Sequence, residues 1–403
     1  MKLKQIVTRA ALAIGVVMAS APAFAAKQYG PGVTDSEVKI GQCMPYSGPA
    51  SGYGQFGKAH EAYFKMINDE GGINGRKIDL VSLDDGYSPP KAVEQTRKLV
   101  EEDNVLLMFA SLGTPTNSAV HKYLNAKKVP QLFVATGATM WGDPKQFPWT
   151  MGWQPSYQQE GRIYAADILK NHPQAKIGVL YQNDDYGKDY LKGLVDGLGA
   201  KAKTMIVKEV TYETSEPTVD SQIVALKGSG ADVFVNITTP KFAAQAIRQA
   251  YDIGWKPLQY LNNVSNSIGA VLKPAGLEKS VGIISSTYYK DASDPQWDND
   301  PGMIKFKEWM KKYLPNGDPS DNFNVIGYSQ AETMAHVLKA CGDDLTRANV
   351  MKQAAQIKNL EQPLLLPGIK VNTSPTDFFP LGQLQLEKFD GKEWKLFGPI
   401  MGK

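Results

Sequence analysis

Short apolar runs alternate with segments of helical period along nearly the whole chain, and this alternation restricts the fold more than any other feature. "EVKIGQCM" (37–44) is an apolar-rich run suited to a parallel strand buried on both faces. The next segment, 56–69, sets Phe56, Ala59, Tyr63, Met66 and Ile67 at helical spacing. Gly71 supplies a left-handed helix end and Asn74-Gly75 a tight turn, and "IDLVSL" is the second strand. Pro89-Pro90 open a helix through Asp103; a strand at 105–110, a helix at 117–125 and a strand at 130–135 follow. The rhythm restarts after "WTMGWQPS" (149–156). Helices are expected at 157–170, 185–198, 219–228 and 241–252, with strands at 176–181, 203–212, 232–237 and 282–289 between and after them. Helices near 303–313, 326–340 and 346–358 precede a hairpin that turns at Asp390-Gly391. Repeated βα units with buried strands imply parallel sheets covered by helices on both faces. Twice over, that gives an α/β chain of two doubly wound, Rossmann-like lobes.

The first residues read as an export signal. Lys2, Lys4 and Arg9 form a basic start before an apolar run from Ala10 to Ala19, and "APAFA" supplies the small residues Ala23 and Ala25 of a signal-peptidase site. Residues 1–25 are therefore expected to be removed, leaving Ala26 first. The run is too short to span a bilayer, which needs about 20 residues, and no later segment is long and apolar enough. Cleavage leaves 41 of the 44 Lys and Arg residues against 41 Asp and Glu. A near-neutral chain without a run of like charge favours neither nucleic acid nor an anionic membrane as partner. The remaining 378 of 403 residues suit two domains of about 100–200 residues each. Cys43 should end the first strand, whereas Cys341 closes a helix of about 16 residues. At about 1.5 Å per residue that helix carries Cys341 about 24 Å away, so two unpaired, buried thiols are expected.

Catalytic chemistry finds little to use. His60, His121, His172 and His336 are widely separated and show no metal-ligand spacing, so no metal is expected. There is no C-x-x-C and no G-x-S-x-G. Asp84-Asp85 and Asp184-Asp185 follow strands, where helix capping and turn formation explain them better than acid/base work. In "SGPASGYGQFGKAH" (47–60), Gly52, Gly54 and Gly57 spell G-x-G-x-x-G, and Gly52, Gly57 and Lys58 spell most of a phosphate loop. The dinucleotide fingerprint should follow its strand at once, but residues 45–51 intervene. The phosphate loop needs Ser or Thr where Ala59 stands. Neither a nucleotide nor any other cofactor is expected, and a secreted nucleotide-dependent enzyme is the disfavoured reading.

What survives is the physics beneath those motifs. The loop ends at a helix N-terminus, where free N–H groups and the helix dipole favour an anion, and Tyr53 projects from its tip. Loops at 110–119, "ASLGTPTNSA", and 135–143, "ATGATMWGD", lie at the same carboxyl edge of the strands. Their glycine, alanine and threonine residues allow close backbone approach. A carboxylate suits them.

These blocks resemble the periplasmic solute-binding proteins of the branched-chain amino-acid type, which serve ABC importers. The resemblance runs from about residue 36 to the C-terminus, through the long block that begins "VKIGQCMPYSGPASGYGQFGKAHEAYF", then "VPQLFVATGA", "KIGVLYQNDDYGKDYLKGL" and "ADVFVNITTPKFAAQAIRQAYDIGWKP". It implies a type I periplasmic binding protein: two lobes, 26–153 with 287–366 and 154–286 with 367–403, joined by three hinge strands near 149–155, 283–289 and 364–371. The resemblance assigns the carboxylate grip to Leu112, Gly113 and Thr114 with Gly137, Ala138 and Thr139. Tyr53 and Tyr186 match aromatics that reach the ligand from either lobe. Amino-acid binders of this type place an acid in the second lobe for the ligand's ammonium; here Asn263 stands there, with Thr239 at a neighbouring position. An amide cannot offset a buried charge. The chain is therefore expected to bind a small carboxylate without an amino group. Blocks "LGTPTN" and "WQPSYQQEG" look similar to importers of aromatic acids, and Trp141 and Trp153 are read either as walls of a flat slot with the two tyrosines or as hinge and core packing. The expected partner is a membrane permease, the expected state a monomeric periplasmic shuttle. A branched-chain amino acid is the alternative ligand, and a sensory module of the same fold the alternative role.

Overall fold

The computed structural model describes residues 27–402; the expected signal at 1–25 lies outside the described residues. In the first third, strands β1 (Gln28–Tyr29), β2 (Glu37–Met44), β3 (Lys77–Asp84), β4 (Met108–Phe109), β5 (Gln131–Val134) and β6 (Thr150–Gly152) alternate with α1 (Gly54–Asp69), α2 (Pro89–Arg97) and α3 (Thr114–Ala126). The middle of the chain holds α4 (Tyr157–Asn171), β7 (Ile177–Gln182), α5 (Asp185–Leu198), α6 (Ala202–Met205) and β8 (Ile206–Tyr212). It continues with α7 (Asp220–Gly228), β9 (Val233–Ile237), α8 (Pro240–Asp252), β10 (Leu258–Leu261), α9 (Lys273–Ala275) and β11 (Ile284–Thr287). Last come α10 (Pro301–Tyr313), α11 (Phe323–Cys341), β12 (Asp344–Leu345), α12 (Arg347–Ala354), β13 (Gln383–Phe389) and β14 (Trp394–Gly402).

Two sheets organise these elements. The first has the order β3-β2-β4-β5-β6 and is parallel throughout. The second has the order β14-β13-β11-β10-β9-β7-β8, parallel except for the hairpin β13-β14, which adds antiparallel to β11. In the first lobe α1 packs on α11 and α2 on α3, so the sheet is covered on both faces. In the second, α4 packs on α5 and α7 on α8. The chain passes between sheets after β6, after β11 and before β13.

Several elements differ locally from the periodic pattern. The run 105–110 yields only a two-residue strand, because Arg347 takes the carbonyls of Val105 and Leu106 (2.9 Å each). The expected strand at 203–212 starts at Ile206; before it a helical turn buries Ala202 and Met205 at i, i+3. Strand β10 was hidden in sequence by its brevity, between Pro257 and a polar run from Asn262. Helix α12 stops at Ala354, whose carbonyl accepts the Thr373 hydroxyl (2.6 Å). Cys43 and Cys341 are buried and free, as expected.

One close contact sets the geometry of the second lobe. Helices α4 and α5 meet through Gly161 and Gly193: a methyl on Gly161 would lie 2.6 Å from Leu194 N, and one on Gly193 would fall inside the backbone of Gln158. Because α4 and α5 begin at Tyr157 and Asp185, this contact fixes where both helix starts point. Gly193→Ala is expected to cost about 1–3 kcal/mol by overpacking. Urea unfolding followed by circular dichroism checks this; an unchanged midpoint would mean the helices can separate freely.

Candidate functional site

Between the sheets lies a cavity lined by sixteen residues from both lobes. It forms where the carboxyl ends of the parallel strands face each other. The lobes are closed over it: the Tyr53 hydroxyl, from the first lobe, donates to Val264 O of the second (3.0 Å). Every lining residue except Val264 is buried.

Seven of the eleven residues singled out from sequence line the cavity: Tyr53, Leu112, Gly113, Thr114, Tyr186, Thr239 and Asn263. Gly113 has φ +103, and a side chain there would strike the Tyr87 ring at 2.6 Å, so glycine lets Tyr87 reach the cavity. Tyr87 itself has φ +62, a conformation held by the Asp85 carboxylate accepting its backbone N–H (2.8 Å). Asp84 accepts the N–H groups of Tyr46, Ser47 and Gly86, and Asp184 caps α5, so both aspartate pairs shape turns and helix starts.

The other four lie outside the lining. Gly137 is behind Tyr157, whose ring a methyl there would meet at 2.7 Å. Thr139 reaches across the lobes instead: its backbone N–H and its hydroxyl both donate to Asp189 Oδ2 (2.8 Å each), and Ala138 accompanies it in a surface cleft beside α5. Gln158 binds the second Asp189 oxygen (2.7 Å). Trp153 is fully buried; its indole N–H donates to Thr333 Oγ1 (3.0 Å) and its edge supports Tyr288. Trp141 packs against His121 and Phe147. Neither tryptophan forms a slot wall, so the packing alternative describes both.

The walls that sequence reading missed are mostly aromatic. Phe56, Tyr87, Tyr157, Tyr288 and Phe323 join Tyr53 and Tyr186, so seven of the sixteen lining residues are aromatic. Phe56 stacks on Phe323 (4.9 Å between centroids) and Tyr157 on Tyr190 (4.3 Å). Gln154 and Tyr157 belong to the "WQPSYQQEG" block, and Tyr157 could have been found as the first residue of a helix following a strand's carboxyl end. Tyr288 and Phe323 carry no such local signal.

No lining residue is charged. Burial pushes the hydroxyls of Tyr53, Tyr87, Tyr186 and Tyr288 well above their usual range, so they stay neutral. The field comes from the backbone. Lining residues stand at the starts of six helices: Tyr53 at α1, Gly113 and Thr114 at α3, Tyr157 at α4, Tyr186 at α5, Thr239 at α8 and Phe323 at α11. Side-chain carboxylates meet two of these starts: Asp184 caps α5, and Asp321 accepts the first N–H of α11 (3.1 Å). In the first lobe α3 points an uncapped N-terminus at the cavity, a field that favours an anion, whereas α1 continues from the helical turn at 51–53 and the first N–H of α11 is taken by Asp321.

Behind the wall of the second lobe lies Glu160, 1% exposed. It accepts from Tyr164 (2.5 Å), Tyr190 (2.6 Å) and the backbone N–H of Asn263 (2.8 Å). Burial pushes its carboxyl up to about 7, against the pull of those hydrogen bonds. Through Tyr190 it supports Tyr157, and through the backbone it holds Asn263. Among the described residues no group of three or more His, Cys, Asp or Glu side chains is placed to hold a metal ion. Nor is any helix among them long and apolar enough to cross a membrane.

The sequence profile of the periplasmic binding protein family matches residues 37–385. Among known sequences, the chain is similar to the Leu/Ile/Val-binding protein homolog 1 of Brucella suis biovar 1 (strain 1330), 26% identical over 362 residues that cover 87% of this chain and 90% of that one. A solved branched chain amino acid ABC transporter from Thermus thermophilus with bound valine superposes at TM-score 0.82 and 15% identity, covering 92% and 98% of the two chains. A fatty acid ABC transporter substrate-binding protein from Thermomonospora curvata superposes at TM-score 0.76 and 24% identity, covering 94% and 95%. Both share the two-lobed α/β architecture expected from the sequence.

Glu160 gives the site a pH signature. Unfolded, a glutamate loses its proton near about pH 4.3, whereas folded Glu160 keeps its proton up to about 7. Between those values the folded state binds more protons, so this group's contribution makes stability fall as pH rises and level off above about 7. Glu160→Gln is expected to remove that part of the fall. Thermal midpoints of both proteins from pH 4 to 8 measure it; parallel curves would contradict it.

Proposed function

Because the chain belongs to the periplasmic binding protein family, we propose that it captures a small aromatic carboxylate between its lobes and delivers it to the membrane permease of an ABC importer. Residues 1–25 would direct export and be cleaved, and a monomer would carry the ligand. The segments near 149–155, 283–289 and 364–371 would serve as hinges, with lobe one as 26–153 plus 287–366 and lobe two as 154–286 plus 367–403. Closure follows if the ligand touches both lobes and so binds the closed state better than the open one. The Thr139–Asp189 contacts and the Tyr53–Val264 hydrogen bond would then form as the lobes meet.

One feature of the cavity supports this ligand class most: seven aromatic walls with no acidic side chain among them. An amino acid closed inside would bring an ammonium with no carboxylate to meet it, and desolvating an unpaired charge costs several kcal/mol. A carboxylate without an amino group meets aromatic faces and uncapped helix starts instead. Binding of its carboxylate would fall to Gly113 and Thr114 at α3, beside Tyr53 and Leu112, with Tyr186, Thr239 and Asn263 facing its other end. Gly137, Ala138, Thr139 and Trp153 would act behind or beside the cavity. A structural neighbour described as a fatty acid binder supports an acid lacking an amino group on this fold.

A branched-chain amino acid is the second reading, favoured by the Leu/Ile/Val-binding relatives and the valine-bound neighbour. Both relatives and neighbours are binding or transport proteins, which supports capture rather than catalysis. Thermal unfolding with two ligand panels separates the readings. At about 100 times its dissociation constant a true ligand adds about 2.7 kcal/mol. Benzoates, cinnamates or phenylpyruvates are expected to raise the midpoint, and leucine and valine to leave it unmoved. The reverse pattern would establish the amino-acid reading.

A further inference from the structure

Two hydrogen-bond chains in the second lobe fix the direction of their protons, and both end at the cavity. One starts at Asp184, whose Oδ2 accepts Gln182 Nε2 (2.5 Å). That contact orients the amide, leaving Gln182 Oε1 to accept the Tyr212 hydroxyl proton (2.9 Å). Tyr212 has one proton to give. Its oxygen therefore accepts from Thr239, taking the backbone N–H (2.9 Å) and the hydroxyl at 3.3 Å. Thr239 Oγ1 has its proton turned inward and presents lone pairs to the cavity.

The second chain ends the same way. The Tyr186 hydroxyl donates to the Asn262 amide oxygen (2.5 Å), while the Asn262 nitrogen is held by the carbonyls of Asn236 (3.0 Å) and Thr238 (3.2 Å). Tyr186 Oη is thus an acceptor too. Asn263 has the opposite character: the residue is 4% exposed, lines the cavity, and its amide nitrogen is buried with no hydrogen-bond partner. A buried donor left unmade is costly, so the ligand should supply its acceptor.

An ammonium offers three donors and no acceptor, which leaves Asn263 unpaired. A carboxylate or an ether could accept from Asn263 but would face the lone pairs of Thr239 and Tyr186. A hydroxyl does both, accepting from one group and donating to another. We infer that the ligand carries a hydroxyl at the end facing the second lobe, opposite its carboxylate, so that the substrate class is a hydroxylated aromatic acid. This rests on the aromatic-carboxylate reading above.

Isothermal titration of the purified protein with cinnamate, 4-hydroxycinnamate and 4-methoxycinnamate, and with the three matching benzoates, tests it. In at least one series the hydroxy acid is expected to bind roughly tenfold to a hundredfold more tightly than both its parent acid and its methyl ether. In Asn263→Leu and Thr239→Val the ratio of hydroxy to parent affinity is expected to collapse towards one. That ratio is read within each variant, so a general loss of binding does not imitate it. Wild-type affinities within threefold across both series, or a ratio that survives Asn263→Leu, overturn the hydroxyl while leaving an aromatic-acid binder. Binding of leucine with no response to any aromatic acid overturns the underlying reading, and the hydroxyl with it.

Discussion

A closed cavity without a charged side chain can hold an anion only if the backbone supplies the opposing field. For the proposed carboxylate, topology would meet that constraint. Parallel βα units put the start of every crossover helix at the carboxyl edge of its sheet, and two such sheets face each other across the cleft. Helix starts at Tyr53, Thr114 and Phe323 converge from the first lobe; that of α3 has no side-chain cap, while Asp321 takes the Phe323 N–H of α11. Each contributes about 0.3–1 kcal/mol in exposed settings and up to about 2 when partly buried. Fixed dipoles also avoid the desolvation penalty of a buried lysine or arginine. Uncapped starts occur in both lobes, at α3 in the first and at α4 and α8 in the second, while Asp184 caps α5.

Shape in the second lobe follows from a different device. Gly161 and Gly193 bring α4 and α5 close enough for Tyr157, Tyr186 and Tyr190 to pack against one another. Glu160 ties that aromatic group to the Asn263 loop through three accepted hydrogen bonds. A single buried acid thus joins helix packing to the position of the polar wall. The residues it positions stand between its carboxyl group and the cavity. The lobes meet at Asp189, where Thr139 and Gln158 converge. That contact is polar and partly exposed, the kind that can open and reform without the cost of breaking a buried core.

Much of this was legible in the sequence, because hydrophobic period reports which faces are buried and turn chemistry reports where elements end. The alternation gave the two α/β lobes, and the long loop before α1 announced Tyr53 at a helix start. Leu112, Gly113, Thr114, Tyr186, Thr239 and Asn263 were reached by the resemblance, and each borders the cavity. Less legible were contacts created by tertiary folding. Trp153 looks like a ligand wall in sequence, yet the Thr333 hydroxyl draws its indole into the interior while Tyr288 takes the surface. Thr139 shares the small-polar character of the 110–119 loop, but the acceptor within its reach is Asp189, from the opposite lobe. Tyr87 depends on a left-handed backbone that only Asp85 and the absence of a side chain at Gly113 permit. Short strands such as β10 are too brief to show a period.

The central proposal is electrostatic: helix starts, and no charged side chain, would hold an anionic ligand in a closed cavity. It is tested most directly by isothermal titration of one tight-binding aromatic acid against its own primary amide, which keeps the shape and removes the charge. The account predicts that the amide binds at least about a hundredfold more weakly, since a charge-assisted hydrogen bond contributes roughly twice a neutral one and the dipole term vanishes. Equal affinities for acid and amide would contradict it, and would mean that aromatic packing alone holds the ligand.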